Sequence, residues 1–371
     1  MPGGQNVSTM HVNRKLILDT HCEIYSMIKQ HADGLFWDFK RHVEEGKLVA
    51  GAVYVIGCEQ MRLNSTLIKE LLTGDTIRVI FSNPAEGSDT IYNQCRYQYG
   101  INEFILAKKI LVVSGGDQDP AWSYLQYENF LPKVLEYKEN LQAITEYQEQ
   151  YTHDRPYKFV FLNGRARPHR QYLLESLKSV LDQAIWSNLD TGNGDIKLLD
   201  PEYEIDKYHT NMNSVPESGF IKHNLFNQEW ADILLKSNIY SDTYFSLISE
   251  TVFEYPYSFR TEKIWKPMAI GHPWIVASNY GFYRDLRNLG FRTFDGIIDE
   301  SFDLIENNQD RLNRITQIVQ DLCQQDLKQF LDACQETCKY NQQHLAETRL
   351  QVLNEFPNRF FQFIKQHKFD E

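Results

Sequence analysis

The sequence predicts an α/β protein of two domains, each built on a mostly parallel sheet with helices against it. Three observations carry this. The 371 residues, 42% of them hydrophobic, are enough for two separate cores. Apolar, β-branched runs alternate with helical patterns in two distinct series, which is the signature of strands joined by helical crossovers. Between the series, Lys138 to Arg155 is polar, charged and helix-prone without a clean apolar face, and the domain boundary is placed there.

In the first series, from 14 to 136, the clearest strands are Leu48 to Ile56, Thr76 to Phe81 and Lys109 to Val113. The second begins with Lys158 to Leu162 and continues through Ile196 to Leu199 and Thr243 to Ile248. It ends with Trp274 to Ala277 and Phe291 to Phe294. Asp200 to Gly219, with Pro201, Pro216 and Gly219, reads as a loop over a cleft. From Ser301 to Phe356 the pattern is helical, and Leu312, Ile315, Ile318, Val319 and Leu322 mark one apolar stripe. The aromatic segment Phe356 to Ile364 needs a surface to cover it.

A formal charge of −12 disfavours nucleic acid or an anionic membrane as the main partner, and makes any positive cluster conspicuous. No run approaches the ~18 to 20 apolar residues that span a bilayer, and Met1-Pro-Gly-Gly-Gln-Asn6 has no basic-then-apolar leader. A soluble, cytoplasmic protein with no integral membrane segment is expected. The six cysteines, Cys22, Cys58, Cys95, Cys323, Cys334 and Cys338, form no Cys-x-x-Cys pair and read as thiols of a reducing compartment.

Two polar segments carry the chemistry. Phe259 to Ser278 reads as a capped helix, a glycine stop and a buried strand: Thr261 is the N-cap, Glu262 and Lys263 lie in the first turn, and Gly271 ends the helix. Pro267 interrupts the backbone donors, so a kink is expected. In Phe159 to Arg170 a strand meets a tight turn, and a helix starts near Pro168. Arg165, Arg167, His169 and Arg170 gather there, where a helix N-terminus already favours anions and planar guanidinium groups suit a pyrophosphate. Alone, the first segment reads as an ordinary helix start and the second as a solvated basic turn. Together they read as one phosphate-binding site.

These residues also carry a resemblance. Thr261-Glu262-Lys263, Phe259, Ser249-Glu250 and Ala269-Ile-Gly-His-Pro273 resemble the donor-nucleotide motif of the α1,3-fucosyltransferases and related bacterial and viral glycosyltransferases. The chain carries Phe259 where that family usually has Tyr, and Glu250-Thr251 where it has Glu-Asn. The resemblance implies a GT-B fold: an acceptor-side Rossmann-like domain over 1–145, a donor-nucleotide domain over 146–345, the two facing a central cleft, and a last helix over 346–371 packed back on the first domain. It implies that Arg170, after the strand-ending Asn163, and Lys263 meet the donor phosphates, and that Glu262 accepts bonds from donor hydroxyls. Asn163, Arg165, Arg170, Ser249, Glu250, Phe259, Thr261, Glu262 and Lys263 form the expected donor set.

Inverting glycosyl transfer needs a carboxylate to take the acceptor's proton. Glu86, in Phe81-Ser-Asn-Pro-Ala-Glu-Gly-Ser88 directly after a predicted strand, is the candidate base, with a surface-turn glutamate as the competing reading. The expected activity is inverting, metal-independent transfer of a sugar, fucose by resemblance, from a nucleoside-diphosphate donor, guanosine rather than uridine, to a hydroxyl of a glycan or other acceptor. No cofactor is expected beyond the nucleotide-sugar co-substrate. Asp117-Gln118-Asp119, an Asp-x-Asp, is the alternative site of a metal-dependent enzyme. The alternative function is a catalytically silent sugar-nucleotide or glycan-binding protein.

Overall fold

The computed structural model describes residues 14–32, 36–38, 48–57, 65–74, 76–87, 109–116, 123–163, 167–188 and 233–369. The chain divides into two compact units, residues 1–129 with 350–371 and residues 130–349.

In unit 1, strands β1 (Leu16–Leu18), β2 (Phe36–Asp38), β3 (Val53–Gly57), β4 (Arg78–Gly87), β5 (Ile110–Gly115) and β6 (Tyr124–Gln126) form one sheet in the order β2-β1-β3-β4-β5-β6. Every neighbouring pair is parallel. Such a sheet must be covered on both faces, and the alternation along β3 shows it. Tyr54 and Ile56 pack with Ile68, Leu71 and Leu72 of helix α2 (Ser65–Thr73). Val53 and Val55 face the other layer, which holds Ile24, Ile28 of helix α1 (Tyr25–His31), and Phe356, Phe360, Phe361 and Ile364 from the end of the chain.

In unit 2, helices α3 (Phe130–Lys133) and α4 (Lys138–Glu149) lead into strands β7 (Tyr157–Asn163), β8 (Ala184–Asn188), β9 (Thr243–Ser249) and β10 (Trp274–Ala277), ordered β10-β9-β7-β8 and parallel throughout. Helix α5 (Pro168–Ser176) follows β7, α6 (Ser237–Ser241) precedes β9, and α7 (Glu262–Ile270) and α8 (Phe282–Asn288) flank β10. Helix α9 (Asn308–Cys323) buries Leu312, Ile315, Ile318, Val319 and Leu322 in the core of unit 2. Helix α10 (Leu327–Gln366) carries the chain from unit 2 into unit 1. Counted from its first strand, each sheet runs 2-1-3-4, a doubly wound, Rossmann-like order whose switch point lies between strands 1 and 3.

Several elements differ from the sequence reading, each for a physical reason. The division falls ahead of Phe130 because Leu131, Val134, Ala143 and Tyr147 pack into the core of unit 2. Phe291 and Phe294 are buried, yet the segment is not a strand. The Asn341 side chain satisfies the backbone there in place of a neighbouring strand, accepting from Arg292 N at 2.9 Å and donating to Arg292 O at 2.8 Å. Ile196 to Leu199 and the loop Asp200 to Gly219 lie outside the described residues. Strands β1, β2, β6 and β8 were not predicted; three of these have only three residues, too few for a period to show. Cys22, Cys323, Cys334 and Cys338 are free and buried, and burial pushes the Cys338 thiol up to about 12.

Candidate functional site

The strand register brings the site together. Val160 stands beside Ser246, so three residues later Asn163 and Ser249 end β7 and β9 on the same edge of the sheet. These are the two strands of the unit 2 switch point, the place where open α/β sheets bind ligands. Helix α5 starts after β7 with Pro168 at its first position, where a missing N–H costs nothing. Helix α7 starts after the segment that leaves β9: the Thr261 side chain accepts from Lys263 N, and Gly271, at φ +80°, closes the helix in the left-handed region. The chain thus directs two nine-residue helices from one sheet edge.

A single hydrogen-bond network joins the polar residues. Arg170, 3% exposed, donates from Nε to Ser249 Oγ at 3.2 Å, and from Nη2 to Ser249 O at 3.3 Å and Glu250 O at 3.4 Å. The Glu250 carboxylate, wholly buried, accepts from Thr261 N at 3.1 Å, Thr261 Oγ1 at 2.6 Å and Thr251 N at 3.2 Å. Lys263 Nζ donates to Glu262 Oε1 at 2.6 Å, Thr261 Oγ1 at 3.2 Å and Thr251 Oγ1 at 3.3 Å. Burial raises the Glu250 carboxyl, offset in part by Lys263 and the Thr261 bonds. Burial acts in the same sense on Glu262, but the charges of Lys263 and Lys266 and the Lys263 bond outweigh it and hold Glu262 below its ordinary value.

Asn163 is 2% exposed, and neither its Oδ1 nor its Nδ2 finds a hydrogen-bond partner among the described residues. Burying an unbonded amide costs about 1–3 kcal/mol, so this group, at the end of β7, is suited to a ligand that can both donate and accept. Arg167 Nε, at the N-cap of α5, is likewise buried without a partner among the described residues. Among the described residues, no protein bond has to be displaced from the Asn163 amide or from Arg167 Nε.

The structure therefore gathers Arg170, Ser249, Glu250, Thr261, Glu262 and Lys263 into one network, with Asn163 at the end of the strand beside it. Four residues depart from the sequence reading. Phe259 is 1% exposed, its ring buried in the interior. Glu250 is wholly buried, and its carboxylate is bonded to Thr251 and Thr261. His169 adds no charge to the arginine cluster. Its Nε2–H donates to Glu250 O at 2.9 Å, its ring stacks on Phe253 at 5.1 Å, and burial lowers its pKa to about 4. Glu86 lies within β4 rather than after it, in the irregular stretch where the pairing shifts between Asn83 and Gly87; its side chain is outside what the structure describes. Arg165, Asp117 and Asp119 lie outside the described residues.

Sequence reading missed Thr251, whose hydroxyl supports Lys263, and Arg311. The Arg311 guanidinium lies 4.4 Å over the Phe253 ring and bonds to Ser278 O at 3.0 Å, Ile305 O at 2.7 Å and Phe253 O at 3.2 Å. The contacts that set these roles, Thr251 to Lys263 and Arg311 to Phe253 and Ser278, join residues 12 to 58 positions apart, beyond any local pattern. A cavity of about 650 Å3 elsewhere in unit 2 is lined by Arg287 and residues of 295–304 and includes none of the site residues. Its carboxylates serve the fold: Asp303 accepts from Tyr283 N and Arg284 N at the start of α8, and Glu300 accepts from Arg287 and Thr293.

The chain matches no protein-family model, and no curated protein or solved structure matches it. Among the described residues, no helix is long and apolar enough to cross a membrane.

Proposed function

We propose that the chain is an inverting, metal-independent glycosyltransferase of GT-B type that transfers a sugar, fucose by resemblance, from a guanosine-diphosphate donor to a hydroxyl of a glycan or other acceptor. The observation that carries this reading is the switch point of unit 2. Two helix N-termini and the cations Arg170 and Lys263 meet there through one network, beside the Asn163 amide, which has no hydrogen-bond partner among the described residues. Anions are favoured where helix N-termini and positive side chains coincide. A nucleoside diphosphate also brings ribose hydroxyls, which donate and accept as the Asn163 amide requires. Glu262, held ionised by Lys263 and Lys266, is the acceptor for donor hydroxyls.

In the proposed reaction the acceptor oxygen attacks the anomeric carbon as the bond from that carbon to the diphosphate oxygen breaks. Arg170 and Lys263 stabilise the charge that develops on the leaving diphosphate, and a carboxylate takes the acceptor's proton. Glu86 in unit 1 is assigned that last role. Calorimetric titration with guanosine diphosphate tests the site. Arg170→Ala and Lys263→Ala should each weaken binding by about 1.5–3 kcal/mol, the worth of a charged hydrogen bond, with folding retained. Wild-type affinity in both variants would reject the assignment.

A further inference from the structure

A buried carboxylate is an unexpected neighbour for an anion site, and the bonds of Glu250 account for it. The Thr261 hydroxyl has one proton, and it spends that proton on Glu250 Oε2 at 2.6 Å. The lone pairs of Thr261 Oγ1 are therefore turned toward Lys263, receiving its backbone N at 3.4 Å and its Nζ at 3.2 Å. Thr251, whose N–H is held by Glu250 Oε2 at 3.2 Å, offers Lys263 Nζ a second hydroxyl oxygen at 3.3 Å. Both hydroxyl contacts of the ammonium thus trace back to one carboxylate that makes no bond to Lys263 itself in this network. A neutral amide could not replace it, because its NH2 would face a donor where Glu250 now accepts.

We propose that Glu250 is a positioning residue for Lys263: it fixes Thr261 and Thr251 so that the ammonium is presented to the diphosphate, without touching the ligand. This rests on the reading of the switch point as a diphosphate site. It also reassigns Glu250 from the ligand-contacting set to the support of that set.

The test combines guanosine diphosphate binding with the reactivity of the Lys263 amine toward acetic anhydride, mapped by mass spectrometry, in the full chain. Glu250→Gln and Thr261→Val should each weaken binding about tenfold or more, as expected for a displaced charged bond, whereas Thr261→Ser, which keeps the hydroxyl, should bind as the wild type does. In a Lys263→Ala background Glu250→Gln should add less than about twofold, because a residue acting through another is not additive with it. Labelling of Lys263 should rise in Glu250→Gln and Thr261→Val. Equal losses from Glu250→Gln in both backgrounds, or unchanged affinity together with unchanged labelling, would overturn the proposal. If the wild type fails to bind guanosine diphosphate, the ligand reading falls, and the labelling alone then decides whether Glu250 controls Lys263. Should Glu250→Gln fail to fold, Thr261→Val against Thr261→Ser poses the same question.

Discussion

Acidification should destabilise unit 2 through a histidine that is not part of the candidate site. His272 is fully buried; its Nε2–H donates to Thr243 O at 2.7 Å, and its Nδ1 accepts from Ser246 Oγ at 2.9 Å. Both ring nitrogens are satisfied with the imidazole neutral, and burial, assisted by the nearby Arg155 charge, lowers its pKa to about 3. In the unfolded chain the same group titrates near its ordinary 6.5. Below that value the unfolded state takes up a proton that the fold refuses, so stability is intact above it and is lost as pH falls toward the folded value. Between about pH 7.5 and about pH 5 the loss is roughly one and a half units' worth, or about 2 kcal/mol. Urea unfolding at the two pH values, followed by tryptophan fluorescence, measures it, since Trp265 and Trp274 are buried in the same unit. His272→Asn should be less stable at both pH values but should lose about 2 kcal/mol less than wild type between them. A variant that keeps the full wild-type acid loss would refute the assignment.

His169 has the same sign: lowered to about 4, it should add a comparable acid loss of about 2 kcal/mol over that range, absent in His169→Asn. At Gly271, φ +80°, an added Cβ would meet the Gln342 side chain at 2.8 Å, so Gly271→Ala should cost about 1–2 kcal/mol of stability in urea titrations even if Gln342 yields. Arg311→Met strands the carbonyls of Ser278 and Phe253 in the interior and should cost about 3 kcal/mol or more, read in the same assay. Glu86→Gln should lower turnover about a hundredfold while leaving donor affinity near wild type; full activity would move the base elsewhere.

Helix α7 shows what local sequence can determine. Thr261 caps it, Gly271 closes it, and the following Trp274–Ala277 is a strand, because capping, left-handed termination and apolar runs are decided within a few residues. The same holds for Pro168 at the start of α5 and for the apolar stripe of α9. Pro267, read as a point of interruption, lies inside α7 all the same, in a helix with six of its other residues buried. The sequence also brought the polar residues of this network forward, since cations and helix starts in an acidic chain are visible without coordinates.

Their division of labour was not visible, because it depends on partners far along the chain. Whether a carboxylate faces ligand or protein depends on what encloses it: Glu250 and Glu262 are both acidic residues near one helix start, yet Glu250 is tied to Thr251 and Thr261 while Glu262 pairs with Lys263. His169 reads as part of a basic cluster until its packing on Phe253 and the carbonyl of Glu250 make it neutral. Asn163 reads only as the end of a strand, and it is the register of β7 against β9 that ends it level with Ser249, with its amide unpartnered among the described residues. Composition and periodicity determined the longer elements; burial and long-range hydrogen bonds, which no short window contains, decided the rest and what each polar group is left to do.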